Sequence, residues 1–223
     1  MSQFIKLSFN LDPKGPLPPA IPPISIERLF DVAKGDMANG YILQFANHSG
    51  THVDAPQHVD NSGLSITQFE IDEFVFKSPL FISIDVKDNE LIRPEHLEIY
   101  YDKLKICDIL MIKTGYSKIR LTDPQRYCLH GTGFSIAGAE YLRKFPNLRA
   151  LGMDTISFAC IAHLDEGMEA HKVLLSGEGR RFLIIEDVNL DEDISNIQQV
   201  ILMPWMIEGI DSAPCSLIGV KGD

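Results

Sequence analysis

Residues 47–58 read Asn-His-Ser-Gly-Thr-His-Val-Asp-Ala-Pro-Gln-His, and they hold three of the seven histidines in a chain of 223 residues. Imidazole and carboxylate side chains together are the ligand set that Zn²⁺, Mn²⁺ and Fe²⁺ take in proteins. The candidate ligands all occupy even-numbered positions, so a locally extended chain would carry them on one side. The stretch therefore predicts a metal site formed by His48, His52, Asp54 and His58.

Two other interpretations of residues 47–58 stay open. The histidines could belong to a polar surface loop and make ordinary hydrogen bonds, or the metal could be purely structural. Three histidines packed this densely, in a chain otherwise poor in histidine, favour metal binding over the first interpretation. Structural zinc sites are rich in cysteine, and the stretch contains none of the four cysteines, which weighs against the second.

Charge and hydropathy exclude several classes of function. The chain has 20 Lys and Arg against 31 Asp and Glu, a net charge of −11 that repels phosphate backbones and anionic lipids. We therefore expect neither nucleic acid nor a membrane surface as a partner, and a small molecule as the substrate. No apolar run approaches the roughly 20 residues of a membrane-spanning helix, and the N-terminus lacks a signal-peptide pattern, so the composition predicts a cytoplasmic protein.

The order of predicted elements favours a single α/β domain over residues 1–223. Residues 1–39 are predicted to form an arm, proline-rich from Pro13 to Pro23, followed by a helix over Ile26 to Ala33 with Ser25 as its cap. Strands and helices then interleave along the chain, which is typical of α/β proteins. The predicted strands are 41–46, 80–86, 109–113, 148–153, 182–185, 200–203 and 216–220, and the predicted helices are 94–105, 135–145 and 165–175.

The stretch from His48 to His58 resembles the H-x-G-T-H-x-D-x-P-x-H signature of the metal-dependent cyclase-like hydrolase family at every specified position. That family includes bacterial kynurenine formamidase and isatin hydrolase. Further landmarks agree in order from Gly40 to the C-terminus. They are Lys113-Thr-Gly-Tyr116, Gly152-Met-Asp154-Thr-Ile-Ser157, His171-Lys-Val-Leu-Leu175, Ile184-Ile-Glu186 and Asp211-Ser-Ala-Pro214.

The resemblance implies a swivelling β/β/α domain with a mixed sheet, assembled as a homodimer or homotetramer. It also implies one or two divalent ions, zinc or manganese, and assigns a role to each matching residue. His48, His52 and Asp54 would hold the first ion, and Asp54 would bridge to a second ion completed by His171 and Glu186. His58 would be the general acid/base, and His163 resembles a substrate-binding histidine of a variant subgroup.

Several of these residues also have structural interpretations. His171 could be a hydrogen-bonded core histidine, and His163 could simply begin a helix. Glu186 ends an apolar strand, where an inward carboxylate is costly unless it is paired or binds a metal. Its neighbour Asp187 should face the other way. Asp154 and Ser157 are predicted to brace a turn below the metal rather than to react.

The predicted function is a metal-dependent hydrolase that cleaves an amide or lactam bond of a small, optionally aromatic substrate. The reaction would resemble those of arylformamidases and isatin hydrolases, which act on carbon–nitrogen bonds other than peptide bonds. Two alternatives remain. The domain could bind a metal or ligand without turnover, or it could be a lyase or dehydratase that uses the same metal.

Overall fold

The structure is a computed structural model that describes residues 3–222. The strands are β1 Phe4–Lys6, β2 Ser25–Phe30, β3 Gly40–Gln44, β4 His52–Asp54, β5 Val75–Phe76, β6 Pro79–Ser83, β7 Leu91–Ile92, β8 Ile109–Lys113, β9 Gly133–Phe134, β10 Ala150–Met153, β11 Leu183–Glu186, β12 Ile197–Pro204 and β13 Ser212–Lys221. The helices are α1 Pro94–Leu97, α2 Tyr101–Leu104, α3 Pro124–Leu129, α4 Ile136–Leu142 and α5 Leu164–Leu175.

One large mixed sheet dominates the fold. Within residues 3–222 it has nine strands, in the order β5-β12-β13-β4-β11-β10-β8-β6, with β1 paired to β13 beside this path. The strands β6, β8, β10 and β11 run parallel to one another, whereas β4, β5, β12, β13 and β1 pair in antiparallel fashion. Because β12 also contacts β6, the sheet curls into a nearly closed barrel. The mixed α/β sheet predicted from the sequence is confirmed.

Two apolar cores follow from the alternation of side chains along each strand. One core fills the inside of the curled sheet and includes Val53, Met111, Ile185 and Leu217. The other lies between the outer face of the parallel strands and the helices, and there Leu110 and Ile184 of the sheet pack with residues of α4 and α5 such as Leu142 and Leu174. The layers are thus antiparallel strands, parallel strands and helices, which is the β/β/α arrangement.

The helix predicted for residues 26–33 is wrong. Residues 25–30 form β2, which pairs with β3 in a two-stranded antiparallel sheet of its own, with Ile26 opposite Leu43 and Arg28 opposite Tyr41. The spacing of apolar residues suggested a helix with one buried face. In the structure the apolar side chains on both faces of this hairpin are exposed. Asp31 and Gly35, which has a φ of 97°, close the first part of the connection between the strands.

The remaining predicted elements lie close to the observed ones. The predicted helix 165–175 corresponds to α5, and Ser135 caps α4 by accepting a hydrogen bond from the backbone N–H of Gly138 at 3.0 Å. The predicted helix 94–105 is broken into α1, a 3₁₀ turn and α2. Among the described residues, no helix is both long and apolar enough to cross a membrane.

Candidate metal centre

The register between β4 and β11 places three candidate ligands on one face of the sheet. Glu186 lies directly opposite His52, and Ile184 lies opposite Asp54 in this antiparallel pair. Alternate residues of a strand share a face, so His52, Asp54 and Glu186 all emerge on the outer face, at the edge of the layer of helices. Val53 between them points into the barrel core.

His48 and His58 reach the same place through turns rather than through an extended strand. Gly50, with a φ of 65°, turns the chain between His48 and β4, and residues Pro56–His58 form a 3₁₀ turn directly after β4. The expectation that one extended segment carries all four side chains is therefore wrong outside β4. The rings nevertheless converge, since the centroid of the His48 ring lies 5.0 Å from that of His52 and 4.6 Å from that of His58.

Two of the histidines are oriented by backbone carbonyls. Nδ1 of His52 donates to the carbonyl of Gly50 at 2.9 Å, and Nδ1 of His171 on α5 donates to that of Gly167 at 2.8 Å. Both rings therefore turn Nε2 toward Glu186, at 3.2 Å from Oε2 for His52 and 3.4 Å from Oε1 for His171. His171 is thus buried and hydrogen-bonded, as the structural interpretation required, yet its second nitrogen faces the cluster. Metal-ligating histidines are commonly held in this way.

Glu186 is fixed by the segment that precedes α5. Its Oε1 accepts hydrogen bonds from the backbone N–H of Phe158 at 2.6 Å and from the hydroxyl of Ser157 at 3.2 Å. Burial raises the pKa of this carboxyl, but the neighbouring His171 and His52 outweigh it and hold the pKa well below its usual range. Glu186 is therefore a positioned, charged carboxylate. Ser157 braces the turn, since its hydroxyl accepts from the backbone N–H of Ala159 at 3.1 Å, and it also contacts Glu186 directly.

Asp54 provides the test of whether these residues fit a metal ion. The residue is 1% exposed, and neither of its carboxylate oxygens has a partner at hydrogen-bond geometry, although Nδ1 of His48 lies 3.2 Å from Oδ1. Nε2 of His52 also lacks one, although it lies 3.6 Å from Oδ1 of Asp54. A buried carboxylate without hydrogen bonds is costly unless a cation compensates it. The chemistry of the donors, imidazole nitrogen and carboxylate oxygen, suits a divalent transition metal, so the residues fit such an ion.

The donor atoms form two groups that share Asp54. The inner group is His52, Asp54 and Glu186, and the outer group is His48, Asp54 and His58; in each, the donor atoms lie within 4.8 Å of one another. This grouping differs from the one that the sequence resemblance implies, because His58 joins a donor group and His48 and His52 belong to different groups. His171 lies outside both groups and touches the inner one through Glu186.

Asp211 was not among the predicted site residues, although the Asp-Ser-Ala-Pro motif had been noted. Its Oδ2 accepts a hydrogen bond from Nδ1 of His58 at 2.8 Å and lies 3.7 Å from Nε2 of His48. Asn47 and Ser212 donate to the same carboxylate, at 2.9 and 3.0 Å. The adjacent His48 and His58 hold the pKa of Asp211 well below its usual range.

The outer histidines are correspondingly basic. Burial opposes charging of His48, but the carboxylates of Asp211 and Asp54 prevail and raise its pKa to about 10. The pKa of His58 is also raised, because its hydrogen bond to Asp211 outweighs the effect of burial. Without a metal, the His48 ring therefore carries a proton at neutral pH.

Other residues singled out in the sequence lie around the centre. Asp154 accepts hydrogen bonds from the backbone N–H groups of Thr114 and Gly115 at 2.8 and 2.9 Å, which confirms that it braces a turn. Asp187 faces away from the cluster, as expected, and forms a two-pronged buried ion pair with Arg120 at 2.7 and 2.6 Å. His163 is exposed at the start of α5, eight residues before His171, and is not brought to either donor group.

Comparison with known proteins places the chain among cyclase-like sequences. The family model "Cyclase: Putative cyclase" matches residues 5–159. An uncharacterized protein of Haemophilus influenzae is 30% identical over 127 residues, covering 56% of this chain and 89% of the relative. Cyclase-like protein 1 of Arabidopsis thaliana is 27% identical over 191 residues, covering 84% of this chain and 71% of that protein.

Solved structures share the fold. Isatin hydrolase A from Labrenzia aggregata, bound to benzyl benzoate, superposes with a TM-score of 0.78 at 20% identity, over 99% of this chain and 94% of that one. An isatin hydrolase bound to the product analogue thioisatinate gives a TM-score of 0.81 at 15% identity, over 99% and 93% of the two chains. Since the family model covers more than half of the sequence, the chain belongs to the cyclase family.

Proposed function

We propose that the chain is a metal-dependent hydrolase that cleaves an amide or lactam bond of a small molecule. The observation that carries this proposal is that the buried carboxylate of Asp54 belongs to two groups of imidazole and carboxylate donors, with its oxygens 3.2 Å from His48 and 3.6 Å from His52. The structural neighbours that are isatin hydrolases support the choice of a carbon–nitrogen bond other than a peptide bond.

The proposed cofactor is one or two divalent ions, zinc or manganese. His48, His52 and Asp54 would hold the first ion, and His171 and Glu186 would complete a second site with Asp54 as the shared ligand. Two overlapping donor groups with Asp54 in common support a shared carboxylate. When bound, such an ion polarises a carbonyl and makes water more acidic.

His58 is the proposed general acid/base. Its Nδ1 is engaged by Asp211 at 2.8 Å, so Nε2 is the atom left to take a proton from water and return it to the leaving nitrogen. Asp211 fixes the orientation of the ring and stabilises the imidazolium that forms, in the way that a carboxylate supports histidine in hydrolytic triads. His58 is only partly buried, with 20% of its side chain exposed, so that it can reach both substrate and solvent.

The surroundings of the site favour an apolar, optionally aromatic substrate. Phe45 and Trp205 form an edge-to-face pair with ring centroids 5.3 Å apart. Phe45 lies three residues before His48, and Trp205 begins the loop that leads to Asp211. This aromatic pair lies on the segments that lead to His48 and to Asp211, and it offers a surface on which a flat ring can pack. His163 remains a proposed substrate-binding residue at the start of α5.

Elemental analysis and a hydrolysis assay test this proposal together. The purified protein should contain a divalent ion, and a chelator should abolish hydrolysis of aryl formamides, isatin or related lactams, with recovery on adding Zn²⁺ or Mn²⁺. The products should together have the mass of the substrate plus one water, as one ring-opened acid from a lactam or as an amine and formate from a formamide, since a dehydratase would instead release water. A folded protein that takes up no divalent ion would contradict the metal, and one that binds the ion without turning over any of these substrates would indicate a silent binding domain.

The proposals on partners are based on the amino-acid composition. The net charge of −11 argues against nucleic acid and anionic membrane surfaces, so a small-molecule substrate is proposed. A cytoplasmic location is also proposed.

A further inference from the structure

Asp187 directly follows Glu186 in the sequence but takes no part in the proposed reaction. It is fully buried, and its carboxylate accepts hydrogen bonds from Nε and Nη2 of Arg120 at 2.7 and 2.6 Å and from the hydroxyl of Tyr127. Phe9 covers the guanidinium, with Cζ of Arg120 4.2 Å from the centre of its ring. Arg120 is itself 3% exposed, so a charged pair is enclosed immediately beside the metal centre.

The main chain of Asp187 is also held in place. Its φ is 54°, in the left-handed region that a non-glycine residue rarely adopts unless its surroundings fix it. Its backbone N–H donates to the carbonyl of Thr155 at 2.8 Å, and its carbonyl accepts from the hydroxyl of Thr51 at 2.5 Å. The side chain, the N–H and the carbonyl of Asp187 are thus each bonded to a different segment of the chain.

These contacts lie next to two donors of the inner group. His52 lies opposite Glu186 in the antiparallel pair of β4 and β11. The next position along this pair brings Thr51 opposite Asp187. The carbonyl of Thr51 accepts from the backbone N–H of Cys215 at 3.0 Å, so its side-chain hydroxyl makes the connection to Asp187 instead. This bond closes the end of the pair directly beside the two ligands, whose side chains lie 3.2 Å apart.

Stability alone does not account for a buried ion pair at this place. Taking two charges out of water costs about as much as their attraction returns, and apolar side chains of similar volume often stabilise a fold equally well. An ion pair with hydrogen bonds is directional, so it sets the position of the residues that form it. Position matters at a metal centre, where the ligands need to be held to within about 0.5 Å.

We infer that Asp187 is a positioning residue of the metal centre, and that its contacts with Arg120 and Thr51 fix where His52 and Glu186 present their donor atoms. This inference rests on the proposed function, because it assumes that the inner group binds an ion. A supporting residue commonly bonds the side chain of a ligand, whereas Asp187 acts through the main chain on either side of the two ligands.

Competition with a chromophoric chelator gives the affinity of the full chain for Zn²⁺. Asp187→Asn removes the charge that pairs with Arg120, and we expect the Kd for Zn²⁺ to rise about 10–100-fold. Asp108→Asn is the matched control. Asp108 accepts from two backbone N–H groups at 2.7 and 3.0 Å and lies 3.5 Å from Arg149, but it precedes β8 and so lies at the opposite end of the parallel strands. This control should lower the unfolding temperature and leave the Kd for Zn²⁺ unchanged.

A second pair of variants tests the same contacts without leaving a buried charge unpaired. Thr51→Val keeps the shape of the side chain but removes the hydroxyl, so the Kd for Zn²⁺ should rise by about tenfold or more. Thr51→Ser keeps the hydroxyl and should bind Zn²⁺ as the wild type does. These variants decide the question if Asp187→Asn does not fold. A wild-type Kd in Thr51→Val, an equal loss of affinity in Thr51→Ser, or an equal loss in Asp108→Asn would overturn the inference.

NMR of the metal-free protein gives a measurement that does not need the ion. The Nδ1 proton of His52, which is donated to the carbonyl of Gly50 at 2.9 Å, should exchange with water faster in Thr51→Val than in the wild type or Thr51→Ser. Equal exchange in the three proteins would overturn the inference. A wild type that takes up no Zn²⁺ but shows this difference in exchange would contradict the proposed function and still support the role of Thr51 and Asp187 in holding His52.

Discussion

The inner and outer donor groups share Asp54 but differ in how the protein holds them. His52 and Glu186 of the inner group are 1% and 4% exposed and are fixed by backbone groups of the turn at Gly50 and of Phe158. In the outer group, the side chains of His48 and His58 are each 20% exposed. Both contact the carboxylate of Asp211, which lies on a loop. The buried inner group is suited to holding an ion, and within the more exposed outer group His58, beside the carboxylate of Asp211, is suited to moving protons.

The largest effect on this comparison should come from Asp54→Asn, because the residue belongs to both groups. The amide keeps the shape but removes the charge, so we expect metal affinity to fall by more than about 100-fold, beyond the 10–100-fold cost of losing a supporting residue. Turnover should fall with the metal. Elemental analysis and kinetics on the same preparation check this expectation, and wild-type metal content in the variant would contradict it.

His58→Gln should separate the two groups. Loss of a general acid/base lowers turnover by about 10²–10⁴-fold, and we expect the metal content to stay at the wild-type level. His130→Gln is the matched control, since His130 is exposed at the end of α3, and it should change neither quantity. If metal content falls in parallel with turnover, His58 is a ligand and the division between holding and proton transfer is wrong.

Asp211→Asn tests the support of the outer group alone. The amide can still contact His58 but cannot stabilise its charged form, so we expect kcat to fall by about 10–100-fold with little change in KM. Metal content should fall less than turnover, because Asp211 lies 3.7 Å from the proposed ligand His48 but hydrogen-bonds His58 at 2.8 Å. A variant that loses its metal would show that Asp211 supports ligand binding through His48 instead.

The pH dependence of metal binding tests whether His48 is a ligand. The pKa of His48 in the metal-free protein is raised to about 10, so its proton stabilises the folded metal-free chain below about pH 6.5, and that contribution is lost as the pH rises toward 10. A metal must displace this proton, so affinity should increase about tenfold per pH unit between 6.5 and 8.5. Titration calorimetry in buffers of different ionisation enthalpy measures the released proton. An affinity that is constant over this range would indicate that His48 is not a ligand.

The sequence predicts those site residues that lie close together along the chain or at the end of a predicted strand or helix. His48, His52, Asp54 and His58 lie within eleven positions, and short turns bring them together. Glu186 and His171 were assigned through the family resemblance; the cost of an inward carboxylate at the end of an apolar strand agreed for Glu186, whereas the position of His171 on a helix also allowed a core histidine. Asp211 could not be found in this way, because its contact with His58 joins positions 153 residues apart and depends on the loop between β12 and β13.

The hairpin of β2 and β3 could not be predicted from the sequence. Apolar residues at positions 26, 29, 30 and 32 match one face of a helix, and no local signal indicates that residues 40–44 pair with them. The helical pattern assumed that one face is buried within the chain, whereas the side chains of β2 are exposed on both faces.

The most direct test of the central claim is anomalous diffraction from crystals of the protein with Mn²⁺ or Zn²⁺. The account predicts a peak bounded by Asp54 and its neighbouring histidines, with the carboxylate of Asp54 in contact with every ion present. It also predicts that His58 keeps its hydrogen bond to Asp211. Crystals that hold the ion elsewhere, or that leave Asp54 without a metal contact at saturating Mn²⁺ or Zn²⁺, would contradict the assignment of this cluster as the metal centre.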